Sequence, residues 1–198
     1  MSKIRIVVLG QTGVGKSTLI NTFIRKDNKE YEPTVEEIIE VDFCIDKKKY
    51  LINILDTSGL ELFYGQRKLY FNEGDAFVIV YSVTDPKSFH YIINVYQNIL
   101  TSQSEMKVGG RPIIIVGMKS DLTMERKVST KEGIEIASKL GISFLETNKF
   151  DQSTIIDAFI DLLNQNIYFK VLEQSKFITL NNKIKISNKE NEKTCNIM

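Results

Sequence analysis

Residues 10 to 17 read Gly-Gln-Thr-Gly-Val-Gly-Lys-Ser and follow the apolar run Ile4 to Leu9. The spacing is G-x-x-x-x-G-K-[ST], at the end of an expected strand and the start of an expected helix. Such a turn presents backbone N–H groups and the positive end of a helix to an anion. Gly10 and Gly15 lack a Cβ, so the backbone there can take unusual dihedrals and approach oxygen atoms closely. Lys16 is a point charge able to reach the β and γ phosphates, and Ser17 offers a small hydroxyl to Mg²⁺. Gly13, Val14 and Thr18 belong to the same cradle. The chemistry implied is the binding of a nucleotide polyphosphate. The bland alternative is a glycine-rich turn with no ligand.

The elements that must hold this loop are legible along the chain. Residues 3 to 9 form a first strand, and a helix follows from about 16 to 26. Residues 27 to 35 are polar and contain Pro33, so they read as a loop. From Ile39 the pattern alternates, with Ile39, Val41, Phe43 and Ile45 on one face and Glu40, Asp42 and Cys44 on the other. Asp46 to Lys49 is a charged turn and Tyr50 to Leu55 the next strand, making a hairpin. A second loop spans Asp56 to about Asn72. Ala76 to Tyr81 and Ile113 to Gly117 are nearly continuous apolar runs, as in parallel strands buried on both faces. Pro86 to Leu100 and Ser129 to Leu140 carry helical patterns, and Ile142 to Leu145 is a short sixth strand. Ser153 to Phe169 is a last helix with Ile155, Ile156, Phe159, Ile160 and Leu163 on one stripe. Strands alternating with helices give an open α/β sheet that binds ligands at the carboxyl ends of its strands. The expected fold is a P-loop NTPase: six mostly parallel strands, one antiparallel edge strand, helices on both faces.

Composition narrows the class. The chain has 198 residues, 42% hydrophobic and 26% charged, with a net charge of +1. That is one domain of ordinary size with no basic stripe, so nucleic acid is not an expected partner. Two cysteines, Cys44 and Cys195, give neither a disulfide framework nor metal spacing, which fits a reducing compartment. From the start, Met-Ser-Lys-Ile-Arg, no signal peptide is expected, and no apolar run is long enough to cross a bilayer. Residues 1–170 are expected to form the globular domain. Residues 171–198, Lys- and Asn-rich toward their end, are expected to form a flexible tail.

Further boxes follow in order. Tyr31-Glu32-Pro33-Thr34 follows the first helix, and Asp56-Thr57-Ser58-Gly59 ends the third strand. Met118-Lys119-Ser120-Asp121 ends the fifth, and Glu146-Thr147 ends the sixth. Together these resemble the nucleotide boxes of the Ras-like small GTPases, over residues 3 to about 169. The stretch from Asp121 to Glu146 is too short for the extra helix of the Rho branch, so the resemblance is to the Ras branch.

The resemblance implies a monomeric GTP/GDP switch with Mg²⁺ that hydrolyses GTP. It makes Thr34 the switch I threonine that binds Mg²⁺ when a γ-phosphate is present. Asp56 becomes the carboxylate holding Mg²⁺ through water, and Gly59 the glycine whose N–H meets the γ-phosphate. Asp121 becomes the guanine reader, accepting from the ring N–H and the exocyclic amine together. Met118, Lys119, Leu122, Asn148 and Lys149 fall in the base pocket. Residues 30–38 and 60–72, with Tyr31, Val35, Glu36, Glu37, Tyr64, Arg67 and Tyr70, would face effectors. Exchange factors and activating proteins are implied as further partners. His90 has no expected role in catalysis.

The chain departs from the family pattern at several positions. Leu60 stands where the family carries a glutamine that orients the attacking water, a role described for Ras itself. Leucine has no donor or acceptor, so slow hydrolysis is expected unless a neighbour such as Gln66 substitutes. Thr12 replaces a glycine, which carries little weight. Met118 replaces Asn or Thr, Asn148 and Lys149 replace a small Ser-Ala pair, and no aromatic falls near Asp27 or Asn28 to stack on guanine. Weaker or faster-exchanging guanine binding is expected. Leu60 and Met118 also suit a scaffold of the same fold that does not cycle. A phosphate-loop kinase would need an Arg-rich lid, and the five arginines (5, 25, 67, 111 and 126) do not cluster.

The last residues, Cys195-Asn196-Ile197-Met198, form a C-a-a-X string whose terminal Met favours farnesylation. Cys44 is expected in the core, which leaves no second acylation site. From Lys176 onward five lysines face two glutamates, and basic residues near an anionic leaflet add about 1 kcal/mol each. The expectation is salt-sensitive, reversible anchoring at the cytoplasmic face of a membrane, with a cytosolic pool.

Overall fold

The computed structural model describes residues 2–25, 37–45, 47–57, 70–104 and 111–172. Its elements are β1 (Ser2–Leu9), α1 (Lys16–Phe23), β2 (Glu37–Ile45), β3 (Lys48–Asp56), β4 (Ala76–Ser82), α2 (Pro86–Ser104), β5 (Ile113–Met118), α3 (Thr130–Leu140) and β6 (Ser143–Glu146). A short helical turn at residues 70–73 precedes β4, and a final helix, α4, covers residues 152–172. The strands form one sheet in the order β2-β3-β1-β4-β5-β6. The β2–β3 pair is antiparallel and the other pairs are parallel. The chain steps from β1 out to β2 and β3 on one side of it, then on to β4, β5 and β6 on the other. The loop after β1 therefore opens at the point where the strand order reverses, where open α/β sheets bind ligands.

Period-two alternation sends the side chains of β1 and β4 to two cores. Ile4, Ile6, Val8, Val78 and Val80 meet Leu19, Ile20 and Phe23 of α1 and Ile155 and Phe159 of α4. Val7, Leu9, Phe77, Ile79 and Tyr81 meet Ile92, Val95 and Ile99 of α2 and Ala137 of α3 on the other side. Each Val, Leu, Ile or Phe among them contributes about 1.5–3 kcal/mol when fully buried. Phe23 and Phe159 stack with centroids 4.1 Å apart, fixing α1 against α4. The helix α3 carries its own start and stop. Ser129 and Glu132 form a reciprocal capping box, and Gly141 ends the helix in the left-handed region at φ 67°.

Several boundaries move. The helix α1 ends at Phe23 rather than near 26, and Arg25 turns the chain at φ 59°. The hairpin is tighter than expected: Ile45 pairs with Lys48, and Lys47 takes φ 64°. Lys48 and Lys49 thus join β3 as exposed residues. On α4, Leu162 joins Ile155, Phe159 and Leu163 in the core, while Ile160 is only half-buried. One expectation is overturned. Cys44 is not in the core but exposed. It lies on the edge strand, on the outward face with the exposed Glu40 and Asp42, as the alternation itself requires.

Candidate functional site

The loop between β1 and α1 is built on three glycines with positive φ: Gly10 at 148°, Gly13 at 76° and Gly15 at 109°. At Gly10 the reason is contact as well as conformation, since a Cβ there would stand 2.2 Å from the carbonyl oxygen of Val80. Gly15 caps α1 without a side-chain bond, and the first turn holds no acidic residue. The opening N–H groups of the helix are thus left to an external acceptor. Lys16 is 6% exposed, and its ammonium donates to the carbonyl of Gln11 at 3.0 Å, spanning the loop.

Asp56 ends β3 opposite Val8 of β1, which carries it to the foot of this loop. Thr57 secures the junction by donating from its hydroxyl to the carbonyl of Val8 at 2.7 Å. Asp56 is 3% exposed. Burial pushes its carboxyl up; a hydrogen bond from Ser17 and the charge of Lys16 pull it down, while Glu37 pushes it up again. Burial likewise lowers the Lys16 ammonium, and Asp56 raises it. The Oδ1 atom of Asp56 is buried without a hydrogen-bond partner. A hard oxygen donor left open beside a serine hydroxyl and a lysine suits a Mg²⁺ ion with its waters.

The carboxyl ends of β5 and β6 form the second half of the site. Lys119 turns at φ 67°. The two loops are stitched together: Ser120 N–H donates to Thr147 O at 3.1 Å, and Thr147 N–H to Gly117 O at 2.8 Å. Asn148 donates from its side-chain amide to Ser120 Oγ at 3.3 Å, and its side-chain oxygen accepts from the N–H of Phe150 at 2.9 Å. Asp121 and Lys149 are exposed; Lys119, Leu122 and Asn148 are half-buried. Arg126 locks the end of β6 from below, bonding Glu146 with both nitrogens at 2.5 and 3.0 Å. Met118 is 1% exposed and lies under Gly15, away from solvent.

The structure thus brings together Gly10, Gly13, Val14, Gly15, Lys16, Ser17, Thr18 and Asp56, and groups Met118, Lys119, Asp121, Leu122, Asn148 and Lys149 at the strand ends beside them. Thr34, Gly59 and Leu60 lie outside the described residues, as do Tyr31, Val35, Glu36, Tyr64, Gln66, Arg67 and the tail from 173. Tyr70 packs partly buried against the α2-side core. Glu37 is exposed at the start of β2, and His90 is exposed on α2. Sequence reasoning missed Gln11, Thr57, Ser120 and Phe150. Gln11, Thr57 and Ser120 carried a signal, by standing inside boxes already marked; Phe150 did not. Phe150 is 75% exposed and holds the Lys149 ammonium 5.0 Å over its ring, beside the base loops.

An open α/β sheet with a glycine-rich loop at its switch point, a buried lysine and an open carboxylate defines a phosphate-loop nucleotide-binding protein. The Ras family profile matches residues 5–168. A protein described as Ras-like protein 1, from Saccharomyces cerevisiae, is 38% identical over 160 residues, covering 80% of this chain and 51% of that protein. The chain therefore belongs to the Ras family, whose members are in general GTP-binding and GTP-hydrolysing switches. It spans about half the length of the curated relative it matches. Among the described residues, no helix is long and apolar enough to cross a membrane.

Proposed function

We propose that this chain is a small GTP-binding switch in membrane-associated signalling, with residues 1–170 as the nucleotide domain and 171–198 as the tail. The observation that carries the reading is the buried pair Lys16 and Asp56 at the foot of an uncapped helix, with one carboxylate oxygen left open. Backbone N–H groups of residues 13 to 18 cradle the phosphates, and Lys16 stabilises charge on the β and γ groups. Ser17, Thr34 and Asp56 would hold Mg²⁺, which neutralises phosphate charge and orients the chain. Asp121 reads guanine, with Lys119, Leu122, Asn148 and Lys149 around the base. Water attacks the γ-phosphorus, the bond to the bridging oxygen breaks, and GDP and phosphate leave. Thr34 and Gly59 sense the γ-phosphate, so its loss releases both loops. Leu60 cannot align the water, and hydrolysis is slow.

Residues 30–38 and 60–72 meet effectors, exchange factors and activating proteins. Where Met198 is the protein's carboxyl terminus, Cys195 takes a prenyl group and the basic tail adds salt-sensitive attraction to an anionic surface. The test is the nucleotide released from freshly purified, heat-denatured protein. GDP, or GDP with GTP, supports a cycling switch. GTP alone supports the second reading, a non-cycling scaffold, which Leu60 favours. No nucleotide, and no Mg²⁺-dependent uptake of GDP afterwards, defeats both.

A further inference from the structure

Met118 ends β5 and accepts from the N–H of Val83 at 3.0 Å. Its side chain is 1% exposed and sits in an apolar cluster with Val14, Leu19, Val80 and Val116. Gly15, the cap of α1, lies directly over it. A Cβ at Gly15 would stand 3.4 Å from Met118 Cβ and 3.5 Å from both Cγ and Cε. The thioether therefore runs along the underside of the phosphate loop. An unbranched chain with three rotatable bonds can follow such an irregular surface. The chain then turns at Lys119, φ 67°, and Asp121 emerges exposed on the far side of that turn.

We infer that Met118 is a positioning residue for the phosphate loop: it supports Gly15 by apolar contact and sets how firmly the phosphate chain is held, while taking no part in reading the base. This rests on the nucleotide reading above and deepens it. The support depends on filled volume, so leucine suffices and alanine opens a void.

The experiment measures dissociation constants of the full chain for GDP and for IDP, which lacks the exocyclic amine. Met118→Ala weakens GDP binding about tenfold, about 1.4 kcal/mol, and weakens IDP by the same factor, so the GDP to IDP ratio holds. Met118→Leu stays within about twofold of wild type. Asp121→Ala collapses the ratio and serves as the control. Should Met118→Ala not fold, Met118→Val carries the same test. The inference is overturned by unchanged GDP affinity in the shortened variants, by loss of the GDP to IDP ratio, or by a leucine variant as weak as alanine. Failure of wild type to bind GDP overturns the nucleotide reading instead, and this inference with it.

Discussion

Lys16 and Asp56 attract each other at the foot of the phosphate loop, yet burial opposes the charge on both. The site is held in a state that a bound polyphosphate and a divalent cation would relieve. Between the ordinary value of 3.8 and its raised native value, the native Asp56 keeps a proton that the unfolded chain has lost. Stability of the ligand-free domain therefore falls as pH climbs through that window, and the penalty is complete above it. For Lys16 the sign reverses. Above its lowered native value the unfolded chain still holds the proton, so stability returns as pH rises toward 10.5. Asp56→Asn should raise the melting temperature of nucleotide-free protein by about 2–4 °C for each kcal/mol recovered, more at pH 7 than at pH 4. It should also abolish the Mg²⁺ dependence of GDP binding. Thermal melts across pH, with binding in Mg²⁺ and in chelator, check both halves.

The loop glycines should differ sharply. Gly10→Ala drives a methyl into the Val80 carbonyl, a backbone atom that cannot step aside, and the cost should exceed about 3 kcal/mol. Gly13→Ala meets nothing within 4 Å, so only the left-handed backbone penalty of about 1–2 kcal/mol remains. Urea unfolding of the two variants against wild type measures the gap; equal losses would contradict the geometry.

Arg126 and Glu146 form a two-point pair with side chains 24% and 11% exposed. Glu146 also accepts from Thr130 at 3.2 Å. Arg126→Ala leaves that carboxylate without its strongest donor and should cost about 1.5–3 kcal/mol. Because the pair anchors the strand that delivers Thr147 and Asn148, GDP should also dissociate faster. A double-mutant cycle with Glu146→Gln should show a coupling of about 1 kcal/mol or more, and additive losses would remove the pair from the argument.

Leu60→Gln should accelerate single-turnover hydrolysis of bound GTP about tenfold or more, since an amide restores a group that can orient water. Equal rates in the two proteins would show that another residue already does this work.

Much of the fold was readable because it is local. Glycines at 10, 13 and 15 announce backbone that L side chains avoid, and the apolar runs of β4 and β5 announce strands covered on both faces. Alternation in β2 placed Cys44 outward; the expectation of a buried cysteine came from proximity to core residues rather than from that period, and the exposed face decided otherwise. Helix ends were less legible. The helix α1 stops at Phe23 because Arg25 leaves the helical region, and no residue type there announces it.

The chain's own order of residues determined the phosphate loop, the strand and helix succession and the apolar faces, because dihedral freedom and side-chain period act between near neighbours. Only the tertiary structure decided that Asp56 keeps an open oxygen beside Lys16, that Asn148 ties the β6 loop to Ser120, and that Met118 lies beneath Gly15. Those contacts join segments far apart in the chain. They exist because β1 sits between β3 and β4 in the sheet, an order set by packing two cores at once and written in no single stretch of residues.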